Sequence, residues 1–244
     1  MGNGVKYTAQ LSLSVQLPDD ETFQSYQSQD NRAVVIQLQQ FIELALKQQS
    51  HPTALYLFGI KGVGKSHLLH ASSAYAELLG LSSLCLSFSE LEQLSIEMFD
   101  GLEQIDVICL DDIHLIAGNT EFERAVFDLF NRMTEQGKCL IISGDQNVAN
   151  LTIKLPDLLS RLSWGLTEQV KPITDDEKLL ALQYRAEQRG LILTIESAKF
   201  LLTRLSREMG NLIQALDELD KASIREQRKI TIPFIKEIFS HISS

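Results

Sequence analysis

Gly59-Ile60-Lys61-Gly62-Val63-Gly64-Lys65-Ser66 fits the pattern G-x-x-x-x-G-K-[ST] at every defined position. Glycines let backbone N–H groups turn inward around an anion, and the helix that follows adds the positive end of its dipole. In such a cradle Lys65 reaches the β- and any γ-phosphate, and the Ser66 hydroxyl joins the shell of a Mg²⁺ ion. His67, the next residue on the helix, closes the stretch assigned to nucleotide binding. Further along, Val107-Ile108-Cys109-Leu110-Asp111-Asp112 is an apolar run that ends in two carboxylates. A buried strand of this kind delivers Asp111 to the Mg²⁺ shell and Asp112 to where a water-polarising carboxylate is needed. Taken alone, two acids at a strand end are equally two solvated charges. The glycine loop upstream favours the functional reading.

Other residues carry less. His67 and His70 lie three apart on one helix, but no third ligand accompanies them, so they read as surface or packed side chains. Trp164 reads as a packing residue rather than a platform for a nucleotide base. Asp175-Asp176-Glu177, after Thr174, reads as a helix cap.

The elements that must position these groups are visible in the apolar pattern. Ala54–Phe58 is a short apolar run closed by Gly59, which suits a strand buried on both faces. A helix over Asn31–Lys47 precedes it and one over Ser66–Leu79 follows. The alternation continues with strands at Leu84–Phe88, Asp106–Leu110, Lys138–Ser143 and Thr167–Val170. Helices are expected between them over Glu90–Leu102 and Glu121–Thr134. Strands alternating with helices imply right-handed βαβ units and a parallel sheet covered on both faces. After Lys171-Pro172, residues 174–189, 194–206, 210–227 and 232–242 read as amphipathic helices. The expected organisation is an N-terminal extension (1–30), an α/β domain (31–171) and an all-α lid (172–244). In fold class this is an α/β three-layer αβα sandwich with a parallel five-stranded sheet, followed by a small helical lid.

Composition bounds the function. The 244 residues hold 22 Lys and Arg against 32 Asp and Glu, a formal charge of −10. That balance counts against a chain that holds nucleic acid by its own field, though not against one that reaches DNA through a partner. No apolar run of about 18 residues suggests a membrane span, and the first residues lack the apolar core of a secretory signal. Cys85, Cys109 and Cys139 are widely spaced within apolar runs, which points to buried thiols in a reducing cytoplasm.

Several protein classes share the phosphate loop. No Asn-Lys-x-Asp motif of a GTPase is present, and no arginine cluster follows the loop as in a small-molecule kinase. An α/β core with a trailing helical lid looks like an AAA+ ATPase module. Three segments sharpen the likeness. Asp111-Asp112-Ile113-His114-Leu115-Ile116-Ala117-Gly118 resembles the Walker B segment of the DnaA-related AAA+ family. Leu140-Ile141-Ile142-Ser143-Gly144-Asp145 resembles its sensor 1 strand, with Asp145 as the sensing residue. Leu158 to Leu166 is similar to its arginine-finger segment, which implies a finger at Arg161. The chain ends at Ser244 with no basic helix-turn-helix after the lid, which favours the Hda branch of the family over the initiators.

That branch carries a Gln-Leu-[Ser/Asp]-Leu-Pro-Leu peptide that docks on the replicative sliding clamp. Gln10, Leu11, Ser12, Leu13, Ser14 and Val15 correspond to it, with Ser14 and Val15 departing from the pattern. Gly210 stands where relatives carry a sensor 2 arginine, and Arg207 lies one turn earlier. Losing a cation near the γ-phosphate lowers the preference for a triphosphate, so the expected ligand is ADP or another nucleoside diphosphate, with Mg²⁺. The resemblance implies a cytoplasmic regulator of initiation that meets DnaA on the DNA-loaded clamp and promotes hydrolysis of DnaA-bound ATP. It implies contact with DNA only through the clamp, no membrane, and room for self-association. The alternatives are an autonomous AAA+ ATPase that loads a helicase or clamp, and a passive adaptor between DnaA and the clamp.

Overall fold

The computed structural model describes residues 21–46 and 53–240. Among them are five parallel strands: β1 (Ala54–Phe58), β2 (Ser83–Ser87), β3 (Val107–Asp111), β4 (Cys139–Gly144) and β5 (Leu166–Gln169). They form one sheet in the order β2-β3-β4-β1-β5. Strand side chains alternate between two faces, and both faces are apolar. Tyr56, Ile108, Leu110, Leu140 and Ile142 pack on one side against α3 (Thr120–Glu135) and α4 (Pro156–Trp164). Leu55, Leu57, Val107, Cys109 and Ile141 pack on the other against α1 (Arg32–Leu46) and α2 (Lys65–Leu78). The result is the three-layer sandwich that the alternating pattern predicts, and all three cysteines are free and buried within it.

Past the sheet, α5 (Asp175–Gln188), α6 (Ile195–Arg204), α7 (Met209–Glu226) and α8 (Ile232–Ile238) enclose a separate apolar core around Leu182, Leu201, Leu216 and Phe234. Thr174 and Glu177 cap α5 reciprocally. The Thr174 hydroxyl accepts the Glu177 N–H (3.3 Å), and the Glu177 carboxylate accepts the Thr174 N–H (2.7 Å). Among the described residues no helix is long and apolar enough to cross a membrane.

One expected helix is not formed. Residues 90–102 instead run through three short 3₁₀ turns, Phe88–Gln93, Ile96–Phe99 and Leu102–Gln104, joined by residues 94–95 and 100–101. Leu94 and Ser95 between them are extended, and Gly101 takes φ 80°. The apolar residues explain the difference. Leu91 and Leu94, then Phe99, Leu102 and Ile105, recur every third residue, and all pack against the sheet core. The chain lays these residues on the core by short turns joined through extended Leu94 and Ser95 and left-handed Gly101, rather than by one continuous helix.

Candidate functional site

β1 runs directly into the glycine loop, at a place with no room for side chains. A Cβ on Gly59 would lie 2.5 Å from the Val170 carbonyl oxygen. Gly62 and Gly64 take φ 85° and 95°, the left-handed region that glycine enters without strain. Gly64 caps α2 and offers no side chain to its first-turn N–H groups, which leaves those donors for an anion. Lys65 is buried, and its Nζ donates to the carbonyls of Gly59 (2.9 Å) and Ile60 (3.3 Å). The ammonium is thereby folded over the loop it serves.

The strand register brings the acids to the same edge. Leu110 of β3 pairs with Ile142 of β4, and Phe58 of β1 with Gly144, so the loop, Asp111, Asp112 and Asp145 all emerge at the carboxyl ends of adjacent strands. Ser143 fixes both acids of the pair. Its hydroxyl donates to Asp111 Oδ1 and accepts the Asp112 N–H at 3.0 Å. Asp112 sits at φ 57° and ψ 47°, a left-handed conformation that few non-glycine residues adopt and that clusters at functional sites. Burial raises its carboxyl pKa and the charge of Asp111 adds to this, while Lys65 and His114 oppose it. A carboxylate lifted in this way is a stronger base toward water. Mg²⁺ is bound in such sites through one or two protein oxygens plus phosphates, and Ser66 and Asp111 present oxygens of that type.

A cleft of about 580 Å³ opens between the loop and the lid. Lys61, Gly62, Gly64, Lys65, Ser66, Asp112 and Asp145 border it from the sheet, and Arg185, Met209 and Gly210 from the helices. Gly210 has open space where its Cβ would be. Arg207 is 77 % exposed, with its guanidinium 3.9 Å from Asp175. It is not among the residues that line the cleft.

A segment before α1 closes the cleft in a way the sequence did not signal. The Tyr26 hydroxyl donates to the Val63 carbonyl (2.9 Å), and its ring lies where a Cβ on Gly64 would sit, 2.6 Å from Cε2. Asn31 clasps the approach to the lid: its Nδ2 donates to the Lys171 carbonyl (2.9 Å), and its Oδ1 accepts the Lys171 N–H (2.8 Å). His67 Nε2 lies 2.9 Å from the Thr22 carbonyl, while its Nδ1 lies 3.1 Å from Arg185 Nη2. Arg185 also pairs with Glu21 at 3.3 Å, and Glu21 bonds His70. The two histidines are therefore packed, as expected. Among the described residues no group of three His, Cys, Asp or Glu is placed to hold a metal ion. Burial pushes the Glu21 carboxyl up, but the His70 hydrogen bond and the charges of His67, His70 and Arg185 outweigh it and hold it at about 2.

Arg161 stands apart from this cleft. On α4, Leu158 and Leu162 face the core and are fully buried, and Arg161 lies half-buried at the flank of that face. Its guanidinium carbon lies 4.7 Å from the centroid of the Trp164 ring. Trp164 is 72 % exposed, which corrects the expectation that it packs in the core. The turn from Leu162 places it on the solvent face with Arg161. Gln10 to Val15 lie outside the described residues.

Residues 87–169 match the bacterial DnaA ATPase domain, and residues 175–239 match the lid domain of Hda. The chain is a DnaA-related AAA+ protein. Its fold is similar to domain III of the Thermotoga maritima replication initiation protein DnaA, with TM-score 0.72 and 18 % identity over 92 % of this chain and 98 % of that one. It is also similar to AMPPCP-bound DnaA from Aquifex aeolicus (0.63, 20 %, covering 87 % and 71 %) and to the Thermotoga maritima RuvB branch migration motor (0.64, 14 %, covering 90 % and 71 %). In this DnaA-related chain the matched stretches contain Asp111, Asp112, Asp145, Arg161 and the lid, while the glycine loop at 59–66 stands on its own geometry.

Proposed function

We propose that this DnaA-related protein is a regulator of replication initiation that supplies Arg161 in trans to ATP bound by DnaA. One observation carries the reading: Arg161 lies outside the chain's own cleft, half-buried on α4 beside the exposed Trp164, while Leu158 and Leu162 of the same helix are locked in the core. An arginine so placed is suited to a neighbour's nucleotide. There its guanidinium would stabilise charge that develops on the phosphoryl group during hydrolysis. In GTPases an arginine supplied by a partner is worth about 10³–10⁵ in rate, which sets an upper guide here.

In this reading the chain's own cleft holds ADP or another nucleoside diphosphate. Backbone amides at 59–66, including those of Gly62 and Gly64, bind its phosphates with Lys65, and Ser66 and Asp111 would hold Mg²⁺. Bound there, Mg²⁺ neutralises phosphate charge. Asp112 and Asp145 face the same cleft, but Gly210 supplies no cation to a γ-phosphate, so turnover of ATP by this chain alone is slow. The AMPPCP-bound neighbour supports a nucleoside polyphosphate ligand for this fold. Residues 10–15 seat the chain on the DNA-loaded sliding clamp, and contact with DNA is left to the clamp and DnaA, in keeping with the charge of −10. The place of action is the cytoplasm, and the division at 31–171 and 172–244 separates the nucleotide-binding domain from its lid.

The decisive experiment follows hydrolysis of DnaA-bound ATP in the presence of loaded clamp. Arg161→Ala is expected to abolish the stimulation while clamp binding and the chain's own nucleotide binding persist. Deletion of residues 10–15 should remove clamp binding and leave nucleotide binding intact. Stimulation that survives Arg161→Ala refutes the finger and leaves a passive adaptor. Rapid ATP turnover by the purified chain alone would instead indicate an autonomous motor.

A further inference from the structure

Arg161 and Trp164 lie three residues apart on the last turn of α4, so their side chains rise from the same face. The helix beneath them is immobilised. Leu158 and Leu162 are buried. Gly165, which ends the helix, abuts β1 so closely that a Cβ there would lie 2.5 Å from the Ala54 carbonyl oxygen. The remaining freedom belongs to the arginine side chain. A long side chain that is only half-buried, as Arg161 is, still populates several rotamers, and selecting one costs entropy when it must meet a single phosphate.

Trp164 limits that freedom. Its ring belongs to none of the three apolar cores and stays 72 % exposed, so burial does not account for its position. The Arg161 guanidinium lies over its face at 4.7 Å from the centroid, within the range where a cation is attracted to the ring quadrupole. We infer that Trp164 is a positioning residue, whose ring orders the Arg161 guanidinium outward before a partner nucleotide site arrives. This inference rests on Arg161 acting as the trans finger. Trp164 is the chain's sole tryptophan, so its fluorescence also reports directly on docking.

The test measures stimulated hydrolysis of DnaA-bound ATP by the full chain on loaded clamp, titrated with wild type, Trp164→Ala, Trp164→Phe and Arg161→Ala. Trp164→Ala should lower the saturating rate about 3- to 30-fold, the range that separates an exposed from a desolvated cation–π contact, with the half-stimulating concentration unchanged. Trp164→Phe retains a ring face and should recover most of that rate. The melting temperature and nucleotide affinity of Trp164→Ala should equal those of wild type, since the ring is outside the core. If Trp164→Ala stimulates like wild type while Arg161→Ala is inactive, the positioning role is overturned and the finger stands. A raised half-stimulating concentration with an unchanged plateau overturns it too, because the ring is then a simple interface contact. Full stimulation by Arg161→Ala instead overturns the finger assignment itself.

Discussion

Gly210→Arg tests how the cleft chooses between di- and triphosphates. Gly210 borders the same cleft as Lys65 and Asp112, between Met209 and Ile213, and a Cβ there meets nothing within 4 Å. The side chain can therefore be accommodated. Its effect on stability is close to zero. Arginine gains about 0.8 kcal/mol over glycine in a helix, and its charge near the helix N-terminus costs about 0.3–1 kcal/mol. Its effect on ligand choice is larger. A hydrogen bond from a charged donor is worth about 1.5–3 kcal/mol, so the affinity for a triphosphate relative to a diphosphate should rise about 10- to 150-fold. The assay is calorimetric titration of each protein with ADP and with a non-hydrolysable ATP analogue. Gly210→Ala is the control: it should raise stability by about 0.5–1 kcal/mol and leave the ratio unchanged. A folded Gly210→Arg chain with the wild-type ratio would mean that the start of α7 does not face the terminal phosphate, and the account of diphosphate preference would fail.

Three further outcomes are expected. Ser143→Ala removes the hydroxyl that donates to Asp111 and accepts the Asp112 N–H, leaving groups whose loss costs about 1–3 kcal/mol. Nucleotide affinity should drop when Mg²⁺ is present and change little in a chelator; an equal drop in both would sever Ser143 from the metal. Gly64→Ala must adopt φ 95° and meet Tyr26 Cε2 at 2.6 Å, so nucleotide binding should be lost along with about 1–2 kcal/mol of conformational stability; wild-type affinity would contradict the loop geometry. Glu21 and His70 make stability depend on pH. Burial lowers the His70 pKa, but its bond to Glu21 and the nearby charges leave it above the usual 6.5. The stabilisation is therefore complete below pH 6.5 and fades as pH rises through the folded value. Thermal melts from pH 6 upward should show a decline in wild type that Glu21→Gln lacks, and parallel curves would exclude the pair as its source.

What was legible in the sequence follows from how locally each feature is determined. β1, β3 and β4 are continuous apolar runs because helices cover both faces of the sheet, and such runs cannot be mistaken for amphipathic helices. The glycine loop is legible because its chemistry depends on consecutive residues. Residues 90–102 were misjudged because apolar residues three apart lie close to helical periodicity, while the chain there is broken into short turns around extended Leu94 and Ser95 and left-handed Gly101. Trp164 was misjudged because residue type suggests burial, whereas its angular position on α4 dictates exposure. Tyr26, Asn31, Glu21 and Arg185 were not foreseen as parts of the site. Their partners lie 37 to 164 residues away in the chain, and no local pattern encodes such contacts. Ser143 went unrecognised for the same reason: its role exists only once β3 and β4 lie in register.

β1 touches both ends of the proposed chemistry. At Phe58 it leads into the loop that surrounds phosphate, and at Ala54 its carbonyl bears against Gly165, the terminus of the helix that carries Arg161. Five residues of extended chain thus connect the glycine loop to the seat of the helix that bears Arg161. The strand fixes where that helix ends relative to the glycine loop, because Gly165 and Gly59 each lie too close to a neighbouring backbone carbonyl to admit a side chain.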